Sequence, residues 1–235
     1  DGEVRISNAQ VRLPAHAAGA PAGLLTGNLD YHTNTREVSF DFTGAAIPLE
    51  AIERIQSSRL PLAGQLNLQV RGQGPLRAPE LHATIRLIDL KFGADVVGSF
   101  DGKVDSDGRH LVATLESAMA TGRLTGKMDV ALEGEYPVTA EVTAERIDFD
   151  PFIASAMHIP LLNGHSLVDG HFAITGFGAR PEAIAVEANL SRFTFDLETV
   201  RLENVGPVKL SYRQDEIRIE QASLRGTDTD FRLSG

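Results

Sequence analysis

The chain has 235 residues, a hydrophobic fraction of 42% and a net charge of −10, enough length and apolar content for one large β domain or two smaller β units. The acidic balance and the lack of Lys/Arg clusters exclude nucleic acid as a partner, because phosphate backbones would be repelled. Cysteine is absent, which excludes disulfides, thiolate nucleophiles and Cys-ligated metals.

Apolar and polar residues alternate along nearly the whole chain, and a period of two is the mark of a half-buried strand. The alternating runs are Val38–Phe42, Leu66–Val70, Leu81–Leu87, Val138–Ala144, Ile184–Ala188 and Val208–Tyr212. Continuous apolar runs, typical of strands covered on both faces, are missing. We therefore expect an all-β fold: a long, curled, amphipathic antiparallel sheet with one apolar and one solvated face.

Turn signals separate these runs at the spacing expected of β-hairpins. Asp107-Gly108 is a strong type I′ signal, and Gly134–Pro137 and Arg213–Glu216 stand between two further pairs of runs. The sequence therefore predicts neighbouring strands joined by tight turns.

Two short stretches break the alternation. In Pro48–Ser57 the apolar residues have helical spacing and a proline stands in the first turn. In Asp150–Met157 an N-cap aspartate is followed by proline at the first helical position. We expect one or two short helices of one to three turns each.

The order of elements around these stretches recurs, which predicts two approximate repeats, residues 45–145 and 147–235, within one continuous β segment spanning 1–235. Stacked repeats bury a continuous face. The chain starts without Met and has no signal peptide or apolar run of roughly 20 residues that could span a membrane. We therefore expect a fragment of a longer chain, with any membrane anchor outside it.

Motifs for catalysis or metal binding are lacking. There is no G-x-S-x-G elbow, and the glycine pairs lack the third glycine of a dinucleotide fingerprint. No metal-ligand spacing links the histidines, which are His16, His32, His82, His110, His158, His165 and His171. We expect no enzyme activity, no metal and no cofactor.

The pattern Gly-x-Φ-x-Φ-x-Φ-x-Gly-x-Gly-x-x-x-x-Pro-x-Φ-x-Φ-x-Φ, where Φ is apolar, occurs at Gly64 to Ile85. It resembles repeats of the TamB/AsmA-like superfamily of bacterial envelope proteins. Further segments that resemble this repeat are Asp89–Phe92, Gly98–Gly102, Thr121–Gly126, Gly170–Pro181 and Arg225–Gly235. The resemblance covers most of the chain from about Gly44 onward.

The resemblance implies a taco-like β fold with an apolar groove, in a periplasmic protein anchored in the inner membrane. It further implies transport of phospholipid between the inner and outer membranes and a link to outer-membrane protein assembly, with acyl chains and assembly proteins as partners. The family has no catalytic residues to carry over. The N-terminal anchor and the C-terminal region that separate TamB from its relatives are not in this sequence.

Under this hypothesis the inward side chains line a groove that shields acyl chains. The expected lining residues are Leu66, Leu68, Val70, Leu81, Ile85, Leu87, Val130, Leu132, Val142, Phe172, Ile174, Ile184, Val186, Phe193, Phe195, Leu210, Ile217 and Ile219. The alternative is an envelope scaffold whose apolar face is fully packed and binds no lipid. Periodicity alone does not choose between a barrel, a sandwich and an open trough.

Overall fold

A computed structural model describes residues 2–14, 22–52, 62–92, 95–119, 122–148, 164–197, 200–214, 216–226 and 230–234. These residues form fifteen β-strands and one 3₁₀ turn, and the predicted all-β antiparallel fold is confirmed. The chain divides into two compact units, Asp1–Ser117 (unit 1) and Ala118–Gly235 (unit 2). The repeats predicted at 45–145 and 147–235 rest on sequence similarity and stay a prediction.

Unit 1 is an antiparallel meander in which each strand pairs with the next one along the chain. Its strands are β1 (Glu3–Leu13), β2 (Gly23–His32), β3 (Glu37–Pro48), β4 (Leu62–Pro75), β5 (Glu80–Phe92), β6 (Asp95–Asp107) and β7 (His110–Ala118). Sequential pairing makes this the simplest sheet topology available to a chain of alternating strands.

Unit 2 begins as a meander and then branches. Its strands are β8 (Arg123–Ala131), β9 (Pro137–Asp148), β10 (Gly164–Phe177), β11 (Arg180–Leu197), β12 (Val200–Asn204), β13 (Val208–Arg213), β14 (Glu216–Arg225) and β15 (Asp230–Leu233). The long strand β11 pairs with β12 near its end and with β13 nearer its start. Strand β14 then pairs with β12, β13 and β15.

The predicted hairpins are present. Between β6 and β7 the loop is Gly108-Arg109, with Gly108 at φ +83°, a conformation that glycine adopts at little cost. The Asp107 side chain closes the loop by accepting hydrogen bonds from the backbone N–H groups of Arg109 (2.8 Å) and His110 (2.7 Å). The predicted Asp-Gly turn is thus centred one residue later than expected, because Asp107 itself ends β6.

The helix predicted at Pro48–Ser57 is reduced, in its described part, to the 3₁₀ turn Leu49–Ala51. The backbone N–H of Ile52 donates to the Leu49 carbonyl at 3.1 Å, but Ile52 has already returned to extended backbone. Residues 53–57, and the whole helix predicted at Asp150–Met157, lie outside the described residues.

β-bulges recur in alternate strands with one shared geometry. In β3, Ala45 and Ala46 lie opposite the single residue Asn67 of β4; Ala46 is left-handed at φ +49°, and its N–H donates to Asn67 Oδ1 at 2.8 Å. A bulge leaves one donor without a ladder partner, and the opposite polar side chain accepts it. The same arrangement is found at Asn8 with Asn28, Asp89 with Ser99 and Arg146 with Asp169.

The bulge acceptor can be tested at Asn67. Asn67→Ala leaves the part-buried N–H of Ala46 without its acceptor, so we expect the free energy of unfolding to fall by about 1 kcal/mol. Urea denaturation measures the change. The matched control is Gln69→Ala on the same strand, which removes an exposed side chain and is expected to leave the midpoint unchanged. Equal midpoints for both variants would contradict the role of Asn67.

The Asp107 carboxylate gives a pH dependence. The hydrogen bond from the backbone of His110, followed by that from Arg109, lowers the pKa of Asp107. A lowered pKa means that the stabilisation is fully present above the ordinary aspartate value and is lost as the pH falls through the lowered value.

Asp107→Asn keeps a side-chain oxygen that accepts the same bonds but does not titrate. We expect the stability advantage of the native chain over Asp107→Asn to be constant at neutral pH and to shrink as the pH falls below about 4. Urea midpoints of both proteins across this range measure it. A difference that does not change with pH would show that the Asp107 charge is irrelevant to the hairpin.

Candidate functional site

Cross-strand register in unit 1 places the apolar residues of successive strands opposite one another. One such row runs across β3 to β6 as Phe42, Val70, Ala83 and Val104, and its neighbours are Leu68–Ile85 and Leu66–Leu87–Phe100. Directly opposed residues in an antiparallel sheet project from the same side. These rows define the apolar face of unit 1.

Aromatic rings on this face cover glycines of neighbouring strands. A Cβ built on Gly72 would come within 2.5 Å of Cζ of Phe40, and one on Gly27 within 2.2 Å of Cδ1 of Phe42. Only glycine leaves room for a ring that lies flat over the backbone. The Phe40 and Phe42 rings are tilted to each other with centroids 6.2 Å apart.

The opposite face of unit 1 is charged. His82 Nδ1 lies 2.6 Å from Asp105 Oδ1, and Arg86 Nε lies 2.6 Å from Asp101 Oδ1, in each case across β5 and β6. All four side chains are more than half exposed, and exposed pairs of this kind contribute little stability. This face is therefore a charged surface that is open to solvent.

Unit 2 repeats the division into two faces. One apolar row crosses β8 to β14 as Met128, Ala140, Ile174, Val186, Tyr212 and Ile217. The next row consists of Val142, Phe172, Ala188, Leu210 and Ile219. These rows define the apolar face of unit 2, and the polar face carries pairs such as Arg213–Glu187, with Nη2 and Oε1 3.0 Å apart.

Burial changes along the strands of unit 2. Towards one end of this face, Val168, Leu190, Val208 and Ala222 form a packed cluster, each under 10% exposed. Towards the β13–β14 hairpin, Ile217 is 71% exposed. The same set of strands thus has a packed end and an open end.

The register brings the predicted lining residues together within each unit. All of them lie on the apolar face of their own unit except Leu132, which follows the end of β8. None is fully buried: Ile184, Ile217 and Ile219 are exposed and the others are half-buried. The predicted set therefore describes the partly solvated portion of the face.

The sequence analysis missed three buried residues of the two apolar faces. Ile47, Leu90 and Ile147 are 5%, 9% and 1% exposed, and each directly follows a left-handed bulge residue. The extra residue of a bulge shifts the alternation by one, so these side chains fall out of phase with the run that precedes them. The only signal in the sequence for these buried residues was an apolar residue directly after the point where the alternation shifts by one.

Two surface depressions of the described residues lie on the charged faces of the units. One is lined by Asp41, Arg71, His82, Lys103 and Asp105, and a similar one in unit 2 includes Glu145, Asp169 and His171. In the described part of the chain no group of three or more His, Asp or Glu residues could hold a metal ion, and no described helix has the length and hydropathy of a membrane span.

These features define a class: an antiparallel β protein whose strands carry one apolar and one charged face, with apolar side chains left partly open to solvent. No protein-family model, curated protein or solved structure matches the chain. The resemblance to TamB/AsmA-like repeats therefore stays a prediction.

The packed and open ends of unit 2 can be separated by truncation. Leu190→Ala removes a side chain that is 6% exposed, and we expect it to lower the free energy of unfolding by about 3 kcal/mol. Ile217→Ala, on the same face, removes one that is 71% exposed and should change it by less than about 0.5 kcal/mol. Urea denaturation compares the two. A large loss at Ile217 would show that the open end is covered in solution.

Proposed function

We propose that this chain is a hydrophobic module that shields lipid acyl chains along its apolar face. The observation that supports this is the combination of continuous apolar rows with incomplete burial, such as the row through Ile174, Val186 and Ile217. A soluble protein rarely leaves contiguous apolar surface open unless something binds there.

The energetics suit such a role. Burying one methylene contributes about 0.8 kcal/mol, so exposing a chain of roughly 16 carbons to water costs on the order of 12 kcal/mol. Contact with Val, Leu, Ile and Phe side chains offsets most of that cost at every point along the face. Successive rows have similar chemistry, so a bound chain can slide between near-equivalent positions instead of passing through water.

The biological setting that we propose follows from the resemblance to TamB/AsmA-like repeats. In it the chain is part of a longer periplasmic protein anchored in the inner membrane, and it carries phospholipid between the inner and outer membranes. A link to outer-membrane protein assembly is part of the same proposal. No enzymatic step is involved.

A second candidate function is an envelope scaffold that positions partners and binds no lipid. The packed cluster of Val168, Leu190, Val208 and Ala222 favours it, because side chains that meet at core density leave no room for a ligand. The two candidates differ in what covers the half-buried residues beyond this cluster.

Native mass spectrometry of the chain, purified from an envelope extract without added lipid, distinguishes the candidates. The lipid proposal predicts co-purifying phospholipid that is retained through mild desalting. The scaffold predicts the mass of the polypeptide alone, even after incubation with phospholipid.

Neighbouring residues on opposite faces provide a sharper test. Val186 lies on the apolar face opposite Ile174 and Tyr212, whereas Ala185 lies on the polar face opposite Thr175 and Arg213. Val186→Asp puts a carboxylate among apolar side chains, where desolvating it is costly. We expect this variant to bind a fluorescent phospholipid at least ten-fold more weakly and Ala185→Asp to bind it like the native chain.

Circular dichroism and the urea midpoint must first show that both variants are folded, because a charge near packed side chains also destabilises. Native-like lipid binding by a folded Val186→Asp protein would argue against the apolar face as the binding surface. Equal losses in both variants would point to the polar face or to a general effect of negative charge.

A further inference from the structure

Two turns at one end of unit 1 are joined by a backbone hydrogen bond. Residues 33–36 connect β2 to β3, and residues 76–79 connect β4 to β5. The N–H of Leu76 donates to the carbonyl of Arg36 at 2.9 Å, and Arg77 directly follows Leu76. Arg36 and Arg77, which we call the arginine pair, therefore start from neighbouring points on the backbone, and both guanidinium groups can reach one small anion.

The arginine pair is not neutralised by any side chain that the structure describes. Arg36 and Arg77 are both exposed, and neither forms an ion pair or a side-chain hydrogen bond with a described residue. Two positive charges side by side repel each other. An anion that contacts both of them removes this repulsion.

The equivalent turns of unit 2 have the same backbone contact, but there the arginine has partners. The N–H of Gly178 donates to the Tyr136 carbonyl at 2.8 Å. Arg180, which follows that turn, forms an ion pair with Glu135 and lies 4.8 Å from the ring centroid of Phe177. The turn pairing therefore does not require unpaired arginines, and their presence in unit 1 is a feature of that unit.

The acidic residues nearest to the arginine pair in sequence lie on the other face of the sheet. Glu37 and Glu80 alternate with Val38 and Leu81, whose register places them on the apolar face. Glu37 and Glu80 are thus on the charged face, where they line a depression together with Arg109. The sheet itself separates these carboxylates from a ligand on the apolar face.

The apolar face of unit 1 extends to the same end. Val38 lies between Tyr31 and Gly74 in the register, and Phe40 belongs to the next apolar row. Leu76, within the second turn, is 54% exposed. An open apolar side chain and two unneutralised guanidinium groups therefore meet where the apolar face ends.

We propose that the arginine pair binds the phosphate group of a phospholipid whose acyl chains extend from Leu76 over the apolar face of unit 1. This inference rests on the proposed shielding of acyl chains and adds the part of the lipid that is recognised. A guanidinium group donates two parallel hydrogen bonds to phosphate oxygens, with a geometry that matches them closely. A neutral lipid with the same acyl chains lacks this contact and binds more weakly.

Two lipids with identical acyl chains separate head-group binding from acyl-chain binding. The probes are fluorescent dioctanoylphosphatidylglycerol and fluorescent dioctanoylglycerol, of which only the first has a phosphate group. Fluorescence anisotropy with the full chain measures both dissociation constants. We expect the native chain to bind the phospholipid roughly ten-fold more tightly than the neutral lipid, which is the lower end of the effect of hydrogen bonds to charged groups.

Removing the arginine pair should abolish this preference and nothing else. In Arg36→Asn/Arg77→Gln, we expect the dissociation constant of the phospholipid to rise to that of the neutral lipid, which stays unchanged. Asparagine tolerates the left-handed backbone of residue 36 (φ +57°), so circular dichroism should show a native fold. Arg109→Gln is the matched control: it removes an exposed arginine at the same end that lines the charged face, and it should keep the native preference.

Salt provides a second readout. Exposed charges are screened as the ionic strength rises, so the native preference for the phospholipid should shrink with added salt. The double variant, which has no such preference, should bind both lipids equally at every salt concentration. A native preference that does not change with salt would contradict an electrostatic role for the arginine pair.

The outcomes distinguish this inference from the proposed function. If neither lipid binds, both the shielding of acyl chains and the head-group site are wrong. If the native chain binds both lipids equally, acyl-chain shielding stands and the head-group site is wrong. A preference that survives in the double variant, or that Arg109→Gln abolishes as well, would also overturn the site. So would glycerol phosphate that binds as tightly as the phospholipid, because the occupant would then be a free phosphate.

Discussion

Antiparallel backbone pairing fixes the face of each side chain in the described strands, and the rest of the structure depends on keeping that pairing in phase. Side chains alternate with a period of two, so a slip of one residue would move a whole apolar set to the charged side. The risk grows with strand length, and β11 has 18 residues. Each bulge shifts the alternation by one residue at a fixed position. A side chain on the neighbouring strand, such as Asn67, stabilises this shift by accepting a hydrogen bond from the N–H that has no partner in the ladder.

Buried residues also lie next to these bulges. Gly44 and Ile47 in β3 both lie on the apolar face, with the two bulge residues between them, and both are buried. In β9 the same holds for Ala144 and Ile147, each 1% exposed. A bulge bends its strand and increases the local twist, which draws the apolar face in on itself. Several of the buried residues of each unit therefore lie beside the bulges.

Alternation was sufficient to predict the fold class. It also predicted the face on which nearly every residue of the predicted lining lies, since the register of antiparallel pairing preserves the period of two. The positions of the bulges could not be predicted from the alternation. Asn8 and Asp89 are residue types that tolerate a left-handed backbone, but Ala46 and Arg146 are not, and nothing local distinguishes them. The tertiary pairing with Asn67 and Asp169 imposes the conformation.

The degree of burial of these side chains could not be predicted from the sequence either. Alternation shows that Leu190 and Ile217 lie on the apolar face, but it does not show what covers them: Leu190 is 6% exposed and Ile217 is 71% exposed. Cover depends on how the sheet curves, which follows from the bulges. The helix predicted from Pro48 is present, in its described part, only as one 3₁₀ turn, because Ile52 returns to extended backbone; propensity is a weak guide where tertiary contacts decide.

The two candidate functions differ in what covers the half-buried apolar residues. The spacing of the strands shows why this cover matters. Neighbouring strands lie about 4.8 Å apart, which is several times shorter than an extended acyl chain. A chain lying across Ile174, Val186 and Ile217 would therefore contact several strands at once, and a shift by one strand would exchange only part of its contacts. The free energy of the bound chain then varies little along the path. The packed cluster around Leu190 stabilises the unit whether or not a ligand is present, so folding does not require the open end to be filled.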